Sequence, residues 1–454
     1  MEVLEKAWEM LEKYPLCDRC LGRQFAMLGH NLENSERGES IKLALVLKAH
    51  ALALSRDKQG IKDLKILATN GFSKVAKEIL LKMKRPIPDK KTPEKCFLCA
   101  NKFEAIDNLV QKAIEKLREY EFRNFLVGIE LPVVVAERED EFKAEFGVNY
   151  GESMKNEFGR VIGRKIAEKI GREVEFRKPD IVVLINPFTE EVRLQVNPLY
   201  IGGRYKKIAR GIPQSKWLCQ NCRGKGCEKC NWTGRMYPES VEELIAKPLL
   251  NLTGSIKSAF HASGREDIDA RMLGEGRPFV IELTKPRKRF FDLKEVEEKI
   301  NAYAKGKIEV SNLHFTDKDV VRKLKKAESA QKEYRVLIEF EKEIKASDMR
   351  LLEEKLTGLT VKQRTPLRVL HRRADMTREK HIYKVKVKML SPKRAEMKIR
   401  CQGGLYVKEL VTGDEGRTTP SVSEILGVPA KPIKLDVLNV IMKDYGEDYG
   451  DKEK

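Results

Sequence analysis

The sequence contains no apolar stretch approaching the roughly 20 residues that a membrane-spanning helix needs. Its start, MEVLEKAWEMLEKYPL, has acids among apolar residues at helical spacing, not a basic segment followed by an apolar one. We therefore expect no signal peptide and no membrane association. A soluble protein of the cytoplasm is the prediction, and in that reducing compartment a disulfide framework is not expected.

The sequence also has none of the glycine patterns that common nucleotide sites use. The segment GEGRPF does not have the GxGxxG spacing, and GxxxxGK[ST] is absent. GxSxG and HExxH are absent as well. These absences argue against ATP-driven chemistry and against a methyltransferase with a Rossmann cofactor site.

Positive charge is in large excess. Lys and Arg number 89 against 69 Asp and Glu in 454 residues, which gives a formal net charge of +20. Such an imbalance favours a polyanionic partner, with nucleic acid as the first candidate and an anionic membrane surface as the second.

The first part of the chain, 1–190, reads as mainly helical and then α+β. Apolar spacing predicts helices at 2–14, 39–55, 73–84, about 102–120 and about 152–170. The segments FLVGIELPVVVAE and VEFRKPDIVVLINPF are rich in β-branched residues and predict strands.

The second part, 191–454, begins with a strand that runs into Gly202 and Gly203 and then into a basic segment. A cysteine-rich insertion at 219–230 follows. Beyond it strands and helices alternate irregularly, which predicts a mixed, mostly antiparallel sheet. The fold class is therefore α+β, with the main boundary near residue 190.

Cysteines occur in a pattern that predicts metal binding. Eight of the nine form four CxxC pairs, and Cys401 stands alone. Two CxxC pairs complete one closed tetrahedral thiolate site, which is typical of structural zinc. The predicted zinc ligands are Cys17, Cys20, Cys96 and Cys99 in one set, and Cys219, Cys222, Cys227 and Cys230 in the other.

Three acids stand close together in AFHASGREDIDARMLGEGRPF, residues 259–279, among arginines and glycines. They are Glu266, Asp267 and Asp269. Arginines hold phosphates, and a nearby cation keeps a carboxylate ionised, so the segment suits an RNA enzyme that uses a carboxylate. In an extended stretch Asp267 and Asp269 face the same way, and the local pattern leaves both open.

This segment resembles the catalytic motif of tRNA pseudouridine synthases of the Pus-ten type, and residues 264–267 match the general Gly-Arg-x-Asp form. Residues 200–217, 361–375 and 402–421 are similar to further motifs of that family. The resemblance implies a zinc-bearing, THUMP-like N-terminal region followed by a pseudouridine synthase domain. It implies action on uridines 54 and 55 of tRNA, with no organic cofactor.

The resemblance also implies residue roles. Asp267 matches the catalytic carboxylate, either as a nucleophile or as a base that forms a glycal. Tyr334 matches the tyrosine that stacks on the target base, with Tyr383 as the rival from pattern alone. Lys408 matches the basic partner of the aspartate. Arg265 is expected to fill the space that the flipped base leaves.

Two basic runs are predicted phosphate contacts. They contain Arg204, Lys206, Lys207 and Arg210, and Arg364, Arg368, Arg372 and Arg373. The expected partner is tRNA, and no obligate protein partner is evident. The rival functions are a non-catalytic RNA-binding protein with zinc modules and a THUMP-bearing tRNA methyltransferase.

Overall fold

The computed structural model describes residues 3–87, 95–326 and 330–441. The chain divides into two compact units between Asn197 and Pro198. The sequence places this boundary near 190. In the structure, strand β4, Glu191–Val196, pairs along its length with β3, Ile181–Asn186, and so belongs to the first unit. None of the described helices combines the length and the apolar character that crossing a membrane requires.

The first unit is mainly helical, as predicted. Helix α1 forms because Ala7, Met10 and Leu11 share one buried face. The expected helices at 2–14, 39–55, 73–84, 102–120 and 152–170 are confirmed, and α2, α4 and α7 are additional. The helices are α1 Val3–Lys13, α2 Asp18–Gly22, α3 Asn34–Leu54, α4 Lys58–Thr69, α5 Lys74–Lys82, α6 Ile106–Leu117, α7 Val133–Glu145 and α8 Met154–Ile170.

A four-stranded sheet completes the first unit. Its order is β2-β1-β3-β4, with β1 at Asn124–Ile129 and β2 at Glu173–Val174. Strand β1 pairs in parallel with β2 and β3, and β3 pairs antiparallel with β4. Helix α8 packs against β1, and Phe158 of this helix stacks on Phe103 with ring centroids 3.9 Å apart.

The segment VVVAE, residues 133–137, is helical, so the strand prediction was wrong there. Val135, Glu139 and Phe142 are buried at helical spacing. The buried Arg23 guanidinium donates to Glu139 at 2.5 Å. This buried ion pair and the packing of one helical face override the β propensity of the three valines.

The second unit contains one large sheet. Its order is β13-β10-β11-β12-β9-β14-β7-β5-β8, with β6 paired to β7. Within this sheet, β7 and β14 form the one parallel pair among the described strands, which confirms the mixed, mostly antiparallel sheet. The strands are β5 Leu199–Lys207, β6 Lys257–Ala262, β7 Arg271–Thr284, β8 Ile308–Thr316, β9 Gln331–Phe340, β10 Thr360–Arg364, β11 Thr377–Ser391, β12 Arg394–Cys401, β13 Thr418–Thr419 and β14 Ala430–Ile441.

Two large apolar clusters hold this unit together. One contains buried residues of β9, β11 and β12 with helices α12 and α13, and the other contains buried residues of β5, β7 and β8 with α9 and α10. Tyr334 packs against both clusters, so it lies at the seam between them. The helices are α9 Val241–Thr253, α10 Leu293–Ala304, α11 Lys318–Lys326, α12 Ala346–Leu356, α13 Val407–Thr412 and α14 Val422–Leu426.

Strand β5 continues through the two glycines at its centre and on to Lys207. A Cβ on Gly202 would lie 2.6 Å from His314 Nε2, and a Cβ on Gly203 would lie 2.6 Å from Leu313 Cδ2. Glycine is therefore required because β8 side chains cover the strand at this point. The basic segment expected after these glycines is the second half of the same strand.

Asp436 on β14 joins three neighbouring segments. Its carboxylate accepts hydrogen bonds from Arg271 on β7, from Arg335 on β9 and from Arg210, which follows β5. The side chain is only 6 % exposed. Burial alone would raise the pKa of Asp436, but the guanidinium groups outweigh it and lower the pKa to about 2.

We expect Asp436→Asn to lower the free energy of unfolding by about 3 kcal/mol at pH 7, because it breaks a buried charge cluster. The pKa of Asp436 in the folded protein is below the unfolded value of about 3.9. Its stabilisation is therefore complete above about pH 4 and is lost as the pH falls toward about 2.

Chemical unfolding at several pH values checks this prediction. The difference between parent and variant should shrink from pH 4 downward. Glu295→Gln, which removes an exposed ion pair with Lys299 on α10, is the matched control and should change stability by less than about 0.5 kcal/mol. A difference that stays constant with pH would contradict the assigned role of Asp436.

Candidate active site and metal centres

An open cleft of about 520 Å³ lies in the second unit, within the size range of small-molecule sites. Its walls come from the β6–β7 connection, strand β9, the turn Leu367–Arg372 and the start of α13. Cations dominate the charge of the described lining, which suits a polyanionic ligand. The cations are Arg265, Lys325, Lys332, Arg368, Arg373 and Lys408, and the acids are Glu266 and Asp267.

The β6–β7 connection carries the acids of the predicted motif. Gly264 has φ +79°, and a Cβ there would lie 2.8 Å from Lys332 Nζ, so the position favours glycine. The segment after it is a turn rather than the expected extended stretch, because Ala270 N donates to Asp267 O at 3.0 Å. Glu266 is buried at 6 % exposure, whereas the Asp267 side chain is 31 % exposed at the cleft.

Glu266 is held in a buried network beneath the cleft. Arg277 donates to Glu266 Oε2 at 2.9 Å and to Ser263 O at 2.7 Å. The Tyr205 hydroxyl donates to Glu266 Oε2 at 2.9 Å and accepts from Gln214 at 2.7 Å. Burial and the charge of Glu266 raise the pKa of Tyr205, so the phenol stays protonated. Glu266 is therefore a structural residue at the floor of the cleft, and Asp267 is the exposed one of the two acids that line it.

Lys207 is fully buried, which corrects its prediction as a phosphate contact. Strand alternation explains this, because Tyr205 and Lys207 share the inward face of β5. The Lys207 ammonium donates to the carbonyls of Ile212, Asp267 and Ile268 at 2.9, 3.0 and 3.1 Å. An ammonium has three N–H donors, and all three are satisfied. Lys207 thus fixes the backbone of the Asp267 turn.

The Asp267 carboxylate lies between two cations. Arg368 Nη1 and Nη2 lie 3.3 and 3.2 Å from its two oxygens, and Lys408 Nζ lies 3.3 Å from Oδ2. Glu409 on α13 orients Arg368 by accepting from Nε at 2.6 Å. Arg368 was predicted to contact phosphate, and the structure places its guanidinium on this carboxylate.

Asp269 also contacts Lys408, whose Nζ lies 2.7 and 2.8 Å from its oxygens. Burial opposes ionisation of Asp269, but Lys408 lowers its pKa. The Asp269 side chain is 69 % exposed, against 31 % for Asp267. Asp269 is not among the described residues that line the cleft. The geometry therefore separates two acids that the sequence pattern leaves equivalent.

Tyr334 on β9 lines the cleft, between Val437 of β14 and Ile399 of β12 in the sheet. Burial raises the pKa of its phenol, which keeps it protonated. Tyr383 stacks edge-on against His381 and is not among the described lining residues. The cleft position thus distinguishes Tyr334 from its rival.

Two arginines lie at the cleft walls. The Arg265 guanidinium carbon lies 5.8 Å from the centre of the Trp217 ring. Arg373 Nη1 donates to the Tyr406 hydroxyl at 2.8 Å. Both side chains line the cleft and remain within reach of a ligand there.

The other predicted phosphate contacts are already engaged within the protein. Arg204 donates to the carbonyls of Glu275 and Gly276, and Arg210 bonds Asp436. Lys206 and Arg364 form part-exposed pairs with Glu309 and Asp375, which are weak enough to exchange for phosphate. RNA contact by these residues stays a prediction. The Arg372 side chain lies outside the described part of the chain.

The first cysteine set converges within the first unit. The four Sγ atoms of Cys17, Cys20, Cys96 and Cys99 lie within 4.8 Å of one another. Cys17 also caps α2, and its backbone N donates to Cys96 Sγ at 3.3 Å. Four thiolates at this spacing fit one tetrahedral zinc ion, because Zn–S bonds of about 2.3 Å give S···S distances near 3.8 Å.

The second set, in the segment between β5 and α9, has the same geometry. Sγ···Sγ distances are 3.9 Å for Cys219–Cys227 and 3.8 Å for Cys222–Cys230. Burial opposes ionisation of Cys230, but backbone N–H groups of Cys227 and Gly234 donate to its sulfur and lower the pKa to about 6. Both sets can hold a metal in a closed, all-thiolate shell, which is structural rather than catalytic.

Comparison with known proteins gives one consistent family. Residues 200–441 match a family model described as "Pus10, C-terminal", and residues 109–186 match "Pus10 THUMP domain, archaeal". The tRNA pseudouridine synthase Pus10 of Methanocaldococcus jannaschii is 45% identical over 97% of this chain and 94% of its own. The tRNA pseudouridine synthase Pus10 of Methanothrix thermoacetophila is 40% identical over 97% of this chain and 94% of its own length. A crystal structure of a pseudouridylate synthase covers 66% of this chain and 86% of its own at 12% identity, with a TM-score of 0.19.

We expect purified protein to contain two zinc ions per chain, because both cysteine sets provide four converging thiolates. Cys227→Ser should reduce the content to one, as measured by metal analysis. Cys401→Ala is the control, since Cys401 lies outside both sets, and it should retain two ions. Metal-free parent protein, or two ions in Cys227→Ser, would refute the assignment.

Proposed function

This chain belongs to the Pus10 family of tRNA pseudouridine synthases, and on that premise we propose that it converts uridine 54, uridine 55 or both in the T-loop of tRNA to pseudouridine. The observation that supports this most is the Asp267 carboxylate, held between Arg368 and Lys408 at a cation-lined cleft. The two units divide the work in this proposal. The first unit, residues 1–197, docks RNA, and the second unit, residues 198–454, carries the chemistry.

The reaction is an isomerisation that needs no oxidant or reductant. The N1–C1′ bond of uridine breaks, the uracil turns, and a C5–C1′ bond forms. C5 then loses its proton, and N1 gains one. Asp267 supplies the reactive oxygen, either by attack on C1′ or the base, or by removing a ribose proton to give a glycal. In both routes the reacting group is the Asp267 carboxylate, and Arg368 and Lys408 lie 3.2 and 3.3 Å from its Oδ2 atom, where they can orient it.

The cleft residues account for substrate binding. A uridine in the folded T-loop must leave its stack to reach Asp267, so the enzyme flips it into the cleft. Tyr334 stacks on the flipped base, and burial raises the pKa of its phenol, which keeps the hydroxyl protonated at neutral pH. Arg265 fills the space that the base leaves, and Arg373 contacts a nearby phosphate.

The two cysteine sets also support a proposal for the bound metal and for the cellular compartment of the protein. Zinc held by the two cysteine sets stabilises the segments around them, and this chemistry requires no organic cofactor. A tRNA substrate and thiolate metal sites both suit a reducing compartment, so we place the protein in the cytoplasm.

We predict that Asp267→Asn binds tRNA within a few-fold of the parent and forms no detectable pseudouridine. The substitution keeps the size of the side chain but removes the charged oxygen, whereas phosphate contacts supply most of the RNA affinity. Asp269→Asn is the matched control, two positions away and bound to the same lysine. It should retain measurable activity. Mass spectrometry of tRNA transcripts after incubation measures the product.

Three outcomes of that experiment are informative. Activity in Asp267→Asn, or loss of activity only in Asp269→Asn, would overturn the assignment of the catalytic acid. If the parent binds tRNA but changes no uridine, the non-catalytic RNA-binding alternative replaces the proposed enzyme.

Lys207 is expected to position Asp267 without touching the substrate. Lys207→Met removes three hydrogen bonds to the turn and should lower the single-turnover rate by roughly 100-fold, because small displacements of reacting groups are costly. The dissociation constant for tRNA should stay within a few-fold of the parent value. Lys206→Met, the neighbouring residue on the other face of β5, is the control: the loss of a phosphate contact there would change the dissociation constant for tRNA, but it should leave the rate at saturating enzyme unchanged. Equal rates for both variants would contradict the positioning role.

A further inference from the structure

The segment 216–237 between β5 and α9 is a surface module with four converging cysteine side chains and almost no buried apolar side chains. Within 217–236, the buried residues are Cys219 and Gly234. The large apolar side chains Leu218, Trp232 and Met236 are all exposed. A module without an apolar core displays these side chains on a framework set by its four converging cysteines.

Trp232 is the most unusual of the displayed side chains, because 73% of its surface is exposed. Its backbone is nevertheless fixed, since Trp232 N donates to Cys227 O at 2.9 Å. The residue has φ +60°, in the left-handed region that bulky side chains seldom adopt. A Cβ on Gly226 would lie 2.8 Å from Trp232 O, so the loop also closes tightly around this backbone. Backbone strain at a rigid, exposed tryptophan points to a function for the ring.

The charge around Trp232 is strongly positive. Segment 216–236 contains five cations and one acid, Glu228. Arg235 pairs with Glu243. Within the described part of the chain, the other four make no ion pair and are exposed. These four are Lys216, Arg223, Lys225 and Lys229. Exposed cations beside an exposed aromatic ring form the combination that binds unpaired nucleic acid, through phosphates and through stacked bases.

The base of the module adjoins the cleft. Trp217 packs edge-on against Tyr237, with ring centroids 5.9 Å apart, and these two rings stand at the two ends of the module. The Arg265 guanidinium lies over Trp217, and Arg265 lines the cleft. RNA that delivers a uridine to Asp267 therefore has this module beside its path.

We propose that the second cysteine module is an RNA-binding arm, in which Trp232 stacks on an unpaired base of the tRNA substrate. Lys225, Lys229 and Arg223 contact the flanking phosphates. This inference rests on tRNA being the substrate in the proposed function. It assigns the cysteine set a role in presenting a binding surface, in addition to holding the metal.

The test compares Trp232→Ala with Trp232→Phe in the full-length, metal-loaded protein, with an unmodified tRNA transcript as the probe. Loss of one stacked base should raise the dissociation constant by between about five-fold and 150-fold in Trp232→Ala. Trp232→Phe retains a ring and should stay within about three-fold of the parent. Tyr303→Ala, which removes a part-exposed ring on α10, should bind as the parent does.

Two further readouts separate stacking from a structural role. Both Trp232 variants should keep two zinc ions per chain. tRNA should quench part of the tryptophan emission of the parent, and that part should be missing in Trp232→Phe. Parent-like affinity in Trp232→Ala, or equal losses in the Ala and Phe variants, would overturn the proposal.

The charge contacts have their own measurement. Lys225→Ala combined with Lys229→Ala should reduce the slope of log affinity against log salt by about two, one for each lost phosphate contact. An unchanged slope would place these lysines away from the RNA.

The failure of this inference is distinguishable from failure of the proposed function. If the parent forms pseudouridine and Trp232→Ala binds tRNA equally well, the RNA-binding arm is wrong and the enzyme stands. If the parent forms no pseudouridine but Trp232→Ala binds tRNA more weakly, the arm stands and the enzymatic proposal is wrong.

Discussion

The buried ion pair between Glu266 and Arg277 is the constraint on which the candidate active site depends. A buried carboxylate without partners would be very costly, so Glu266 must stay with Arg277 and the Tyr205 hydroxyl. Arg277 lies on β7 and Tyr205 on β5, and together they attach the motif turn to the centre of the large sheet. Because Glu266 points inward, the turn that follows presents Asp267 to the cleft. Lys207 also binds this turn, because its ammonium donates a hydrogen bond to the Asp267 carbonyl oxygen.

The cleft lies where the two large apolar clusters of the second unit meet. The clusters meet at Tyr334, and Asp436 connects strands from both sides of that seam with charges rather than apolar side chains. Tyr334 at this seam and Leu435 and Val437 of β14 are among the residues that line the cleft. Side chains on strands hold a site more precisely than side chains on loops, which suits a reaction in which a flipped base must be held against a carboxylate.

Much of the architecture could be predicted because it depends on local pattern. The amphipathic α1, the β-branched β3 and the CxxC spacing each indicate their structure within a few residues.

Contacts distant in sequence could not be predicted in the same way. In the sequence, Lys207 is one cation in a basic run. In the structure, this run is part of β5, which pairs with β7 and β8, and Lys207 lies on the buried face of that strand. Arg368 looked like a phosphate contact, but chain topology brings it to Asp267, about 100 residues earlier in the sequence. The VVVAE segment became helical because one helical face could be buried and Glu139 could reach Arg23. The motif resemblance, which depends on register rather than on local charge, selects Asp267 over Asp269; the structure places Asp267 at the cleft, and its catalytic role stays a prediction.

In the proposed function, this cleft isomerises uridine in the T-loop of tRNA. The most direct measurement is a map of pseudouridine at every position of an unmodified tRNA transcript, after incubation with the purified, zinc-loaded parent protein. We expect new pseudouridine at position 54, at position 55 or at both. A transcript that binds the protein but contains no pseudouridine in its T-loop would contradict it.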